Sequence, residues 1–202
     1  YEISECLVGS EMCIRDRTES LKGFADVRTE GKRKNFDITT YNDGIYVGYR
    51  YYTTKNIPVS YPFGYGLSYT SFSYSDLKVN KVHNGDIQVS VSVKNIGKMN
   101  GKEVVQVYVA APGNDMDKPA RELKGFAKTK SLKPGEVHTV SITIPYGDLA
   151  SFNEEENCWQ VEEGTYQVLV AKDAADMKPL SASVTEEGKI TETVRPCLVF
   201  QQ

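Results

Sequence analysis

Carboxylates, histidines and cysteines are the side chains through which this chain could act on a substrate. Its densest acidic runs are Glu154-Glu155-Glu156, Glu162-Glu163 and Glu186-Glu187. Neighbouring carboxylates divide acid and base roles only where a shaped pocket pushes their pKa values apart. The triple run has no such frame around it. The other two are each followed at once by glycine, Gly164 and Gly188, and all three read as charged, solvated turns. Asp76, in Ser75-Asp76-Leu77, stands at the entry of an alternating segment and reads as a solvated strand residue. His83 sits in an Asn-Gly turn region, and His138 stands at a strand entrance, where a rim position is expected. No Ser/His/Asp order supports nucleophilic catalysis, and no cluster suits a metal. Catalytic, cofactor-binding and metal-ligating residues are accordingly all expected to be none, with no cofactor. Cysteines fall at positions 6, 13, 158 and 197, without a CxxC pair or finger spacing. Cys158, beside Trp159 and without a basic neighbour, reads as a small half-buried residue rather than a reactive thiol.

The bulk properties narrow the partners. The 202 residues are 40% hydrophobic and 25% charged, with a net charge of −3, as in an ordinary globular domain. No basic cluster offers a face to nucleic acid or an anionic membrane. No apolar run approaches the roughly 20 residues of a membrane-spanning helix. The first residue is Tyr1 rather than Met, so a fragment is expected and a missing signal peptide says nothing about compartment.

Residues 1–17, YEISECLVGSEMCIRDR, show no period and fit nothing downstream. They resemble translated sequencing-adapter read-through, and a non-native tail is expected there. Residues 18–40 are polar and lysine-rich, with a short strand conceivable around Phe36 to Tyr41. Residues 41–70 hold eight of the thirteen tyrosines. Such density suits either stacking on sugar rings or an aromatic seam between two packed bodies. The seam is favoured, because tyrosine tolerates an interface apolar at one end and wet at the other. Within the stretch 61–70, YPFGYGLSYT, Pro62 removes a backbone donor, and Gly64 and Gly66 permit backbone angles closed to other residues. Its aromatics Tyr61, Phe63, Tyr65 and Tyr69 are large enough to pin it to a surface.

From residue 71 the pattern changes to period two. Ile87, Val89, Val91 and Val93 alternate with polar residues, as on a strand with one buried face. A glycine-flanked turn over 95–101 leads to 103–109, apolar on both faces like a central strand. Residues 121–128 read as a lysine-bearing edge strand. A turn at 133–136 precedes alternation at Val140, Ile142 and Ile144, and 148–153 reads as a turn or helical crossing. Trp159 and Val161 start a short strand, and Tyr166, Val168 and Val170 line the next. Residues 180–184 close the set, and 188–202 read as a tail in which 190–194 could pair. Seven or eight short strands without a long helical pattern predict an all-β, immunoglobulin-like antiparallel β-sandwich over 71–187, with an irregular N-terminal extension.

Two sets of motifs carry a family resemblance over about residues 40 to 187. Asp43 to Tyr52 (DGIYVGYRYY) with YPFGYGLSYT resembles the junction in family 3 glycoside hydrolases, the β-glucosidases and β-xylosidases. There it joins an α/β sandwich to a C-terminal fibronectin type III-like domain. Asn95 to Tyr108 is similar to that family's Asn-Thr-Gly…Gly-Lys-Glu-Val-Val-Gln-Val-Tyr run, with Ile96 where Thr is usual. Pro119 to Glu136 resembles its Glu-Leu-Lys-Gly-Phe…Leu-Lys-Pro-Gly-Glu block. Gly164 to Val170 resembles its closing strand, with Ala171 where Gly is common. The resemblance implies a fibronectin type III-like fold, a remnant of the α/β domain over 18–40, and a linker over 41–70. It implies that the missing barrel and α/β domains are the partners, met through Tyr61, Phe63, Tyr65 and Tyr69. It also implies a periplasmic or secreted parent. A retaining glycosidase needs two carboxylates about 5 Å apart; in this family an Asp of the barrel and a Glu of the α/β domain supply them, both upstream of this chain. The expected role is therefore non-catalytic support of a hydrolase of terminal β-glucosides or β-xylosides. The alternative is a free-standing carbohydrate-binding or adhesion module.

Overall fold

The computed structural model describes residues 44–114 and 116–194. The adapter-like tail, the strand expected near 36–41 and the end of the C-terminal tail lie outside the described residues. Among the described residues there are eight strands: β1 (Phe72–Lys81), β2 (Ile87–Asn95), β3 (Val104–Ala110), β4 (Glu122–Lys128), β5 (Val137–Ile144), β6 (Ser151–Asn153), β7 (Cys158–Ala171) and β8 (Leu180–Thr193). One short helix, α1 (Tyr49–Thr54), precedes them. All pairings are antiparallel.

The strands form two sheets, β1-β2-β5 and β4-β3-β7. On one edge β7 carries β3 at its far end and β6 at its start; β8 runs along its other edge. The chain crosses between sheets after β2, after β4 and again after β5, as in immunoglobulin-like sandwiches. The alternation read from the sequence places the core: Ile87, Val89, Val91 and Val93 of β2 face Val105, Val107 and Val109 of β3, with Val140, Ile142 and Ile144 of β5 beside them. Tyr166, Val168 and Val170 complete it from β7. Burial of a branched side chain of this size contributes about 1.5–3 kcal/mol, so the core accounts for most of the fold's stability.

Two details depart from the expectation. A single strand, β7, covers what read as two strands separated by Gly164, and β8 continues past residue 187 to Thr193. Gly164 is a strand residue with a φ of 141°, and the ladder to β8 runs through it without a shift of register. The 148–153 crossing resolves into a 3-10 turn, Tyr146–Leu149, followed by β6.

The acidic runs divide. Glu154 to Glu156 form the exposed β6–β7 turn, as expected. Glu162-Glu163 and Glu186-Glu187, expected as turns, lie inside β7 and β8, where Glu163 and Glu187 are direct cross-strand partners. Glu162 and Glu186 are buried. Glu162 meets Lys118 of the β3–β4 loop at 3.3 Å, and Glu186 meets Lys81 of β1 at 2.9 Å. A distant lysine holds each carboxylate inside the sandwich, a relation that local sequence cannot display.

Candidate functional site

The linker is part of the sandwich rather than a loose connector. Gly48, at φ 60°, turns the chain into α1. The Tyr49 hydroxyl then accepts the Leu123 N–H of β4 at 2.9 Å. Its ring lies edge-on to Tyr108 of β3 and stacks on Phe63 with centroids 4.7 Å apart. Thr54 Oγ1 accepts the Ala120 N–H at 2.9 Å, and Arg50 pairs with Glu122 at 3.0 Å. The Tyr46 hydroxyl donates to Asp117 Oδ1, and that bond pushes its pKa up to about 12. These contacts cover the outer face of β3 with a second small apolar cluster of Tyr108, Ala171 and Ala174, against which Tyr49, Leu123 and Leu169 pack. The second apolar face expected for 103–109 thus has its cover, supplied by the linker.

Gln106 anchors the centre. Its Nε2 donates to Gly64 O at 3.1 Å and to Lys172 O at 2.6 Å, while its Oε1 accepts the Tyr108 hydroxyl at 2.7 Å. The Phe63 carbonyl accepts the Ala174 N–H at 2.9 Å. Gly64 has a φ of 83°, and a Cβ there would run into the Gln106 amide. Both the angle and the close approach demand glycine. Gly66 has neither constraint, contrary to the expectation that both glycines serve the turn. Gly64→Ala is therefore expected to cost roughly 2 kcal/mol, from strain and a displaced buried hydrogen bond. Gly66→Ala is expected to be near neutral. Thermal melts of the two variants check the contrast.

At the other end of the motif, Asn95 clamps the linker. It is fully buried. Its Nδ2 donates to Met99 O and Leu132 O, both at 2.8 Å; its Oδ1 accepts the Gly97 N–H at 3.0 Å and the Thr70 hydroxyl at 2.6 Å. A Cβ at Gly97 would run into Thr70 and come within 2.8 Å of Ser71 N. The Asn95–Gly101 turn is thus shaped to receive residues 68–72.

The aromatic stretch divides between two faces. Tyr49 and Tyr52 turn inward. Tyr61, Phe63, Tyr65 and Tyr69, the four residues expected to meet partners, all stand exposed, with Leu67 and Tyr69 at 90% and 97%. Tyr61 and Tyr65 pack side by side, centroids 5.6 Å apart. The result is a ridge of exposed, mostly aromatic side chains on a linker whose backbone is anchored at Phe63 and Gly64.

Among the described residues, the other polar groups singled out by the sequence lie apart from one another. His83 stands exposed in the 3-10 turn before β2, and His138 is half-buried opposite Val93 at the other end of that strand. Asp76 is exposed at a bulge in β1. Cys158 is buried, and burial pushes its thiol up, reinforced by Glu156. Less thiolate is then present at neutral pH, so the thiol is poorly nucleophilic. Burial likewise raises the hydroxyls of Tyr74 and Tyr108, and that of Tyr166 to about 12. Each stays protonated at neutral pH and serves as a hydrogen-bond donor. Among the described residues, no three His, Cys, Asp or Glu side chains are grouped to hold a metal. Nor does any helix of theirs have the length and apolarity to cross a membrane. A recess between Lys118, Glu122, Lys124 and Tyr166 has space for about one water molecule.

Comparison with known proteins agrees with this architecture. The model of the fibronectin type III-like domain matches residues 103–174. Thermostable β-glucosidase B of Acetivibrio thermocellus is 46% identical over 162 residues, which cover 79% of this chain and 21% of the relative. β-Glucosidase 3B from Thermotoga neapolitana, solved in complex with α-D-glucose, is 45% identical with a TM-score of 0.71, over 75% of this chain and 21% of that one. A GH3 β-glucosidase from Bifidobacterium adolescentis is 35% identical with a TM-score of 0.68, over 79% and 23%. The chain spans about a fifth of the length of the curated relatives it matches. The matched segments extend well beyond residues 103–174, so the likeness is not confined to the central strands of the sandwich. The chain belongs to the fibronectin type III-like domains of family 3 glycoside hydrolases.

Proposed function

We propose that this chain is the non-catalytic support domain of a family 3 glycoside hydrolase acting on terminal β-D-glucosides or β-xylosides. The exposed ridge carries this reading. Tyr61, Phe63, Tyr65 and Tyr69 stand out from a linker that is itself hydrogen-bonded to β3 and β4. Contiguous exposed apolar side chains of this size mark interaction surfaces. The relatives extend over about five times the matched length, so a partner surface on the barrel and α/β domains is the natural cover. The carboxylate runs singled out in the sequence are committed elsewhere: Glu162 to the buried Lys118, Glu186 to Lys81 at the surface, Glu154 to Glu156 to an open turn.

The test is a hybrid in which this chain replaces the matching segment of the Thermotoga neapolitana enzyme. The hybrid is expected to hydrolyse an aryl β-glucoside, and the chain alone to show no turnover. Hydrolysis by the chain alone, lost on a substitution within it, would overturn the proposal. Sugar affinity in the isolated chain would instead favour a carbohydrate-binding module.

A further inference from the structure

The ridge does not end with the linker. In β4, Phe126 is the direct cross-strand partner of Gln106. Paired residues in a sheet point to the same face, and Gln106 is the side chain that holds Gly64 on that face. Phe126 therefore stands beside the seated linker. The linker covers Tyr108 and Gln106 but leaves Phe126 at 69% exposure. Val104, one strand over and two residues before Gln106, is also exposed. Next along β4 on the same face comes Lys128, exposed and in no ion pair with another described residue.

Two physical considerations converge here. A large aromatic ring left in water on a sheet edge is an aggregation hazard that folded proteins normally blunt. Its pairing with Gln106, whose amide is bonded to Gly64, also places it next to the linker that carries the aromatic ridge. We infer that the β4 edge, through Phe126 with Lys128 at its rim, is the second half of the surface that docks the barrel and α/β domains. The occupant is thus an apolar patch of those domains bordered by carboxylate, which would cover the ring and meet the lysine. This inference rests on the docking reading above and assigns part of that interface to the sandwich itself.

Thiol accessibility separates the two claims. F126C and, separately, Y65C are introduced into the isolated chain and into the Thermotoga hybrid. Reaction with a maleimide is followed at each position by peptide mass spectrometry, with buried Cys158 as the slow internal reference. Both introduced thiols are expected to react freely in the isolated chain and at least tenfold more slowly in the hybrid. Protection of the Y65C thiol with none of the F126C thiol would overturn this inference and leave the docking reading standing. Protection of neither would remove the docking reading itself. Protection of the F126C thiol in the isolated chain that grows with protein concentration would show a second copy covering the edge, and would also overturn the inference.

Discussion

Asn95→Ala is expected to be among the most damaging single substitutions on the sandwich, lowering stability by roughly 3 kcal/mol. The side chain makes four hydrogen bonds from a fully buried position. Its loss would strand the Met99 carbonyl, the Gly97 N–H and the Thr70 hydroxyl, and would leave the Leu132 carbonyl with the Gly101 N–H alone. Each buried group left without a partner costs about 1–3 kcal/mol, and partial relaxation of the turn reduces the sum. For a chain of this length the loss corresponds to a fall of roughly 6–12 °C in melting temperature. The damage should also spread to the linker, because Thr70 is held by Asn95 and residues 68–72 enter the turn that it organises. Exchange of the linker amides with deuterium is expected to rise more than exchange in β2. Asn95→Asp should be no milder. It keeps the acceptor for Gly97 and Thr70 but turns a carboxylate oxygen toward the carbonyls of Met99 and Leu132. A fall of less than about 1 kcal/mol for the alanine variant would show that the turn is held by packing alone.

Lys118→Met is expected to be comparably severe, and its repair is diagnostic. The Lys118 and Glu162 side chains are 6% and 2% exposed, with Nζ and Oε2 at 3.3 Å. Glu162 Oε1 also accepts the Met116 N–H at 2.9 Å, and the Glu162 carbonyl accepts the Tyr166 hydroxyl at 3.2 Å. This carboxylate thus fixes the loop after β3 against β7. Removing one partner of a buried pair leaves the other charge without compensation, at about 3–5 kcal/mol. Replacing both by apolar residues is often neutral. The double variant Lys118→Met with Glu162→Leu should therefore recover much of the loss. It will not recover the Met116 contact, so the loop itself should stay looser. Chemical denaturation of the two singles and the double gives the coupling directly. Additive losses in the double variant would mean that the pair is not a unit.

The surface that matters for function shows why part of this was legible in the sequence and part was not. Period-two alternation located β2, β3 and β5 because one face of each strand is dry, and dryness writes itself into every second residue. The lysines of 121–128 marked an edge strand, and β4 is an edge of its sheet. The turn at 133–136 followed from Pro134 and Gly135, and Gly135 takes a φ of 80°. The aromatic density of 41–70 announced an interface, but not its division. Tyr49 and Tyr61 are the same residue type; only the position of β3 decides that one is covered and the other is not.

Charge was where local reading failed. Glu162-Glu163-Gly164 and Glu186-Glu187-Gly188 have the composition of turns, yet they sit in the two longest strands. A carboxylate can enter a sandwich only if a cation meets it, and Lys118 and Lys81 come from other elements far along the chain. A domain boundary at residue 187 with a pairing segment at 190–194 splits in two what is one strand, β8. β8 is held by its ladder to β7 as far as Cys158 opposite Thr193, not by apolar alternation of its own.

The sequence by itself determined the class of fold, the order of most strands and the motifs that tie this chain to family 3 glycoside hydrolases. Each of these depends on short-range rules: the two-residue pleat, the backbone freedom of glycine and the fixed φ of proline. Only the tertiary structure decided that the linker is seated on β3, that Asn95 gathers four partners and that Phe126 stands exposed opposite Gln106. Those are relations between residues far apart in the chain, and they exist only once the two sheets have closed on one another.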